Sequence, residues 1–253
     1  MKLSVRNGKT VSLIIPAKNE AKNLTQVLDD VPDFVDQVLI VDGHSIDDTV
    51  QVASRHERVS SVIPQRNKGK GAALSRGFFA STSDIVVMVD ADGSMDLAEI
   101  GAFVDAVSKG ALIVKGSRNL KGGGSDDITK FRSLGNMFLT KLANLLYGQN
   151  WTDLAYGYAA FDKSALEICE IKFLDTKVAG ALSHRRMSYG QGFEIETLIF
   201  CRAIRRGIEV VEIPSWERNR VFGSSNLRAI SDGTRALAAL IFEKLRSRRA
   251  LDA

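Results

Sequence analysis

The chain has 253 residues, 45% of them hydrophobic, with 34 Lys and Arg against 30 Asp and Glu. That is enough apolar material for a large globular core, and a net charge of +4 suits anionic small ligands or a membrane surface rather than nucleic acid. Two isolated cysteines, Cys169 and Cys201, exclude a disulfide framework and a zinc site. The first residues lack the apolar core of a signal peptide and no run of ~18 apolar residues occurs, so a cytoplasmic protein, soluble or at most peripheral to a membrane, is expected.

In chain order, strands are expected at 11–15, 37–41, 59–63, 85–89 and 111–114, where apolar residues run almost without interruption. Helices are expected between them at 23–30, 47–58, 70–81 and 96–108, where apolar residues recur at helical spacing. This alternation predicts an α/β fold: a mostly parallel central sheet with helices on both faces. The stretch 121–127, rich in glycine, reads as a flexible loop. A helix over 128–146 follows, then a short apolar element at 158–161 and a helix from Lys163. Residues 175–192, with three glycines and His184, Arg185 and Arg186, read as a mobile basic loop. A helix over 194–206 and a strand over 209–213 come next. The last segment, 227–249, places Leu227, Ile230, Leu237, Leu240, Ile241 and Leu245 on one helix face beside six basic residues, and no linker divides the chain. A membrane surface, the domain itself or a second subunit in a homodimer would each cover that face.

Open parallel sheets bind ligands beyond the carboxyl ends of their strands. Polar groups collect there: Lys18, Asn19 and Glu20 after the first strand, Asp42 after the second, Asp90 and Asp92 after the fourth. Residues two apart in extended chain share a side, so Asp90 and Asp92 suit one hard cation, Mg²⁺ or Mn²⁺, which shares its oxygen ligands with phosphates. The competing reading is an ordinary turn, with Ser94 capping the next helix. Glu20, Asp47 and Asp48 likewise fit the first turns of helices.

The Asp90-Ala91-Asp92 element follows Pro16 to Glu20, Asp42 to Thr49 and Asn67 to Gly71. It precedes Gly116 to Arg118, Gly122 to Gly124, Arg132 with Asn136, Asp153 before Gly157, Gly192 to Glu196, and Arg220 followed by Gly223 to Leu227. This ordered set, over about residues 10 to 230, resembles the family 2 glycosyltransferases of the GT-A (Rossmann-like) fold, most closely the branch that makes dolichyl- or polyprenyl-phosphate mannose.

The resemblance implies roles. Pro16, Lys18, Glu20, Asp42 and Ala91 would line the nucleoside of a nucleotide sugar; Asp90, Asp92 and Ser94 would hold the metal on its diphosphate. Arg220 and Asn226 would contact the donor phosphates, and Arg118 and Arg132 an acceptor phosphate. The expected reaction is inverting transfer of a hexose, from GDP-mannose or UDP-glucose, to a polyprenyl phosphate. For a hydroxyl on a small-molecule acceptor, the first candidate for general base is Asp153. The sequence departs from the pattern at Asp42-Gly43-His44-Ser45, at Ser94, and at Asn226, often a lysine. A sugar-phosphate nucleotidyltransferase would carry a glycine-rich basic loop after the first strand, where Pro16 to Glu20 stands. A non-catalytic binding module would have no need of the Asp90–Asp92 pair.

Overall fold

A computed structural model describes residues 6–171, 190–223 and 228–245. The strands are β1 (Val11–Ala17), β2 (Gln37–Asp42), β3 (Ser61–Pro64), β4 (Ile85–Met88), β5 (Ile113–Ser117), β6 (Gly124–Ser125), β7 (Ala159–Asp162), β8 (Val210–Pro214) and β9 (Trp216–Glu217). The helices are α1 (Ala21–Asp29), α2 (Thr49–Arg55), α3 (Lys70–Ala80), α4 (Ile100–Ser108), α5 (Lys130–Tyr147), α6 (Lys163–Ile168), α7 (Ile195–Arg205) and α8 (Ala229–Leu245). Among the described residues seven strands form the main sheet in the order β3-β2-β1-β4-β7-β5-β8, and β6 and β9 pair separately.

Strand alternation sorts the core into two layers. Leu13, Ile15, Val38, Ile40, Ile85 and Val87 pack with apolar residues of α1, α2 and α4. Their neighbours Ile14, Leu39, Val41, Val86 and Met88 pack on the opposite face with α3, α5, α6, α7 and α8. Each such buried aliphatic side chain contributes about 1.5–3 kcal/mol relative to exposure, and with both faces covered the strands have no polar side. That is why they read as continuous apolar runs.

The exception to the parallel pattern is β7, antiparallel to both β4 and β5. Its pairing of Met88 with Ala159 places the start of β7 beside the end of β4. The segment entering β7 therefore lies at the edge where β1, β2, β4, β5 and β8 end. The parallel registers, with Ala17 opposite Asp42, Asp42 opposite Pro64 and Ser117 opposite Pro214, bring the residues that follow these strands to that same edge.

Three expectations are corrected. Residues 121–127 are tied down rather than free: Gly124 and Ser125 pair with Trp216 and Glu217, and the Trp216 indole N–H donates to Asp126 Oδ2 at 2.9 Å. A side chain at Gly124 would collide with the Trp216 ring, so glycine there serves packing, not freedom. The turn before α4 is capped by Asp96, which accepts the Ala98 N–H, and not by Ser94. The apolar face of α8 is split: Ala236 and Leu240 join the core, whereas Ile230, Ile241, Phe242 and Leu245 are exposed. Leu227, Asn226, residues 246–249 and the basic stretch His184, Arg185 and Arg186 lie outside the described residues. No helix among the described residues is long and apolar enough to cross a membrane.

Candidate active site

The carboxyl edge of the sheet opens into a cleft of about 830 Å³. Pro16, Lys18, Glu20, Asp90, Ala91, Asp92, Ser94, Arg118, Arg132 and Arg220 all line it, so the structure brings together most of the residues singled out in the sequence. Asp42 and Asp153 stand behind it.

Asp92 carries the turn and faces the cleft at once. The Ser94 N–H donates to its Oδ1 at 2.9 Å, and Gly93 takes φ +77°, a conformation glycine adopts without strain. Its Oδ2 lies 2.6 Å from Arg220 Nη2. Burial, with Asp90 close by, raises the Asp92 carboxyl above its ordinary range, and Arg220 only partly offsets this. Asp90 Oδ1 lies 2.7 Å from Lys70 Nζ, which also reaches Glu196 Oε1 at 2.8 Å. Burial opposes the charge on Lys70, but the two carboxylates dominate and hold its pKa above normal.

Glu20 does precede α1, yet its side chain turns away from the helix N–H groups to accept from Asn23 Nδ2 and to face Arg220 at 3.7 Å. Burial, then the charges of Asp92 and Asp90, raise its pKa against the Asn23 hydrogen bond. Asp42 turns inward: its carboxylate accepts the backbone N–H groups of His44 and Ser45. It therefore shapes the second-strand loop, where His44 takes φ +60°, rather than reaching into the cleft. Asp47 accepts from Thr49 and from the Ala21 N–H, and Asp48 is the residue before α2; both lie ahead of the helix rather than in its first turn, where the sequence reading expects them.

Asp153 is placed differently from expectation. Its side chain is fully buried and receives Arg118 Nε at 2.7 Å, Arg118 Nη2 at 3.0 Å and Asn136 Nδ2 at 2.7 Å. Burial pushes its pKa up, but the hydrogen bonds and charge of Arg118 outweigh that and hold it low. A carboxylate so saturated anchors Arg118 and has no free lone pair to serve as a general base. Arg118 in turn donates to Glu217 Oε2 at 3.0 Å and lies over the Tyr156 ring. Arg132 pairs with Asp127 at 3.3 Å, at the start of α5.

Lys70, Glu196 and Glu217 carry more of the site than the sequence indicated. Their partners lie 20 to over 100 residues away, beyond the reach of local spacing; the signal present was the glycine pair around Lys70. A side chain at Gly71 would run into the Gly190 carbonyl oxygen, and one at Gly69 into that of Gln191. Gly71→Ala is expected to displace the 190–192 segment and cost about 1–3 kcal/mol, read as a lower thermal midpoint; an unchanged midpoint would show that this contact gives way freely.

Two carboxylates at one strand end are hard oxygen donors, and their mutual repulsion favours a cation between them. Among the described residues no group of three or more acids, histidines or cysteines is arranged to hold an ion. By their chemistry these two carboxylates suit part of the shell of a hard divalent cation.

Residues 12–169 match the family described as glycosyl transferase family 2. An uncharacterized glycosyltransferase of Mycobacterium tuberculosis is 39% identical over 111 residues, 44% of this chain and 50% of that protein. The match thus spans about half the length of that relative. Polyprenol monophosphomannose synthase of Mycolicibacterium smegmatis is 31% identical over 238 residues, 88% of this chain and 83% of the synthase. Among solved structures, glucosyl-3-phosphoglycerate synthase from Mycobacterium tuberculosis, in complex with Mn²⁺, UDP and glucosyl-3-phosphoglycerate, superposes with a TM-score of 0.70. It covers 96% of this chain and 82% of its own at 20% identity, a likeness of fold. By the family match over most of its length and the architecture of its sheet, this chain belongs to glycosyl transferase family 2 and has the GT-A fold.

Proposed function

We propose that the protein transfers a hexose, with inversion, from a nucleoside diphosphate sugar such as GDP-mannose or UDP-glucose to a polyprenyl phosphate. The observation that carries the choice of acceptor is the composition of the cleft. One end is the polar cluster of Asp90, Asp92, Lys70 and Arg220; another wall is the apolar side of α5 with part of α8. Phe131, Leu134 and Phe138 line it while remaining exposed by more than half. Three large apolar side chains left open to water fit an isoprenoid chain, and a small polar acceptor has no use for them. Arg132 stands next to Phe131 on the same helix, where a phosphate at the head of that chain would meet it. The Mycolicibacterium relative, by name a polyprenol monophosphomannose synthase, agrees with this reading.

The chemistry follows from the side chains. Lys18, Glu20 and Pro16 would seat the nucleoside at the ends of β1 and β2, and Arg220 would hold the diphosphate. Asp90 and Asp92, with Ser94 fixing the turn, would hold Mg²⁺ or Mn²⁺, which supplies positive charge against the departing diphosphate. An oxygen of the acceptor phosphate forms the new bond to the anomeric carbon from the face opposite the leaving group. The bond from that carbon to the diphosphate breaks, and the electron pair leaves with the nucleoside diphosphate. A phosphate is already ionised at neutral pH, so no base is required, in keeping with the burial of Asp153. Arg118, held by Asp153 and Glu217, and Arg132 would orient the acceptor, and most of the acceleration comes from positioning and fixed charge. The exposed Ile230, Ile241, Phe242 and Leu245 of α8 would rest on the membrane that holds the acceptor.

The test compares turnover with a polyprenyl phosphate against soluble alcohols and soluble phosphates. Transfer to the lipid phosphate alone is expected, and Arg132→Ala should reduce it at least tenfold more than it reduces donor hydrolysis. Preference for a soluble alcohol, or equal losses in both reactions, would overturn the acceptor assignment.

A further inference from the structure

Each carboxylate assigned to the donor site is already answered by a basic side chain. Lys70 Nζ sits between Asp90 and Glu196, and Arg220 between Asp92 and Glu20. Neither is a loosely tethered surface cation, their side chains being 11% and 15% exposed. Lys70 opens α3 and is held from behind by Glu196, which is carried by α7. Gly157 leaves room for that pair: a Cβ there would lie 2.9 Å from both Lys70 Nζ and Glu196 Oε1. With the Ser94 N–H on Asp92 Oδ1, only Asp90 Oδ2 of the four carboxylate oxygens has no such partner among the described residues.

We propose that Lys70 and Arg220 act as resident counter-cations of Asp90 and Asp92, so that the divalent ion and the donor diphosphate bind in mutual dependence. The proposal rests on the donor-site reading above. An ion arriving alone would displace both cations from the carboxylates. Lys70 would then be left to Glu196 and Arg220 to Glu20, and half-paired buried charges are costly. A diphosphate arriving with the ion offers phosphate oxygens to the same N–H groups as they leave, and the freed carboxylate oxygens turn to the ion. Each ligand thus removes the obstacle to the other, and such coupling is reciprocal.

The experiment measures Mn²⁺ binding to the full chain by electron paramagnetic resonance, with and without GDP or UDP, correcting for Mn²⁺ complexed by free nucleotide. Nucleoside diphosphate is expected to tighten Mn²⁺ binding by on the order of tenfold or more, and Mn²⁺ to tighten the nucleotide by the same factor. Lys70→Met should bind Mn²⁺ alone more tightly than the parent and lose most of the coupling. Arg220→Met, altered at the other carboxylate, should move in the same direction and serves if Lys70→Met does not fold. Equal Mn²⁺ affinity with and without nucleotide, or coupling unchanged in these variants, would overturn the counter-cation role while leaving the donor site standing. A protein that takes up no Mn²⁺ even with GDP or UDP present would overturn the metal assignment itself.

Discussion

Asp153→Ala is expected to destabilise the fold by about 3–5 kcal/mol, the cost typical of breaking a buried ion pair from one side. The substitution removes the acceptor of two Arg118 side-chain hydrogen bonds and of the Asn136 amide, all inside the protein. Arg118 would retain Glu217, with Tyr156 beneath its guanidinium, and remain largely shut off from water. Urea unfolding should show a lower midpoint at unchanged slope. The effect is also pH-linked. Because the folded Asp153 titrates below an ordinary aspartate, its contribution is complete above about pH 4 and is lost as the pH falls through the folded value. Asp153→Asn should lack that acid-dependent component. A wild-type midpoint in Asp153→Ala would mean that Arg118 does not depend on this carboxylate.

Asp92→Asn is expected to do the reverse: little harm to the fold, and a loss of kcat/KM on the order of 100-fold or more, about 2.7 kcal/mol of transition-state stabilisation. Asparagine keeps an acceptor for the Ser94 N–H but loses the charge and the second oxygen that Arg220 meets at 2.6 Å, leaving Arg220 to Glu20. Asp92 titrates above an ordinary aspartate because it is buried beside Asp90. Its ionised form therefore opposes folding, and stability falls as the pH rises through the unfolded value toward the folded one. Removing the charge relieves the burial and the repulsion from Asp90 but also takes the nearer partner of Arg220, so the urea midpoint at pH 7 should change little while turnover collapses. A large drop in stability with turnover retained would make Asp92 a scaffold residue. The two aspartates shift in opposite directions, Asp92 up beside Asp90 and Asp153 down beside Arg118, and their variants are expected to part in the same way.

Much of this was legible in the sequence because buried parallel strands announce themselves as apolar runs, and whatever terminates them sits at one edge. That reasoning located Asp90, Asp92, Lys18 and Glu20. It failed where side chains answer partners far along the chain. Asp153 stood as a candidate general base; only the fold brings Arg118 and Asn136 onto it. Lys70 lay in a glycine-rich turn, and its pairing with Asp90 and Glu196 requires α3, β4 and α7 to be assembled. The short run 158–161 carried no sign of strand direction, since Ala159 to Phe161 would be apolar in either sense. Gly124 suggested looseness, whereas it is the Trp216 ring that excludes a larger residue there.

That reversed strand has a consequence for how the fold accommodates new chemistry. Along β1, β2 and β4, the chain contributes to the cleft as it leaves the sheet; at β7 it does so on the way in, through Ala155, Tyr156 and Gly157. The proposed donor-side groups belong mainly to the exits of β1 and β4, the proposed acceptor-side groups to Arg118, to α5 and to the approach to β7. The two sets are contiguous in space and, apart from Glu196, Glu217 and Arg220 later in the chain, separately encoded, in residues 16–94 and 118–157. Exchange of the second block between related chains would offer a different acceptor to an unaltered donor apparatus, with β7 as the splice that keeps both in register.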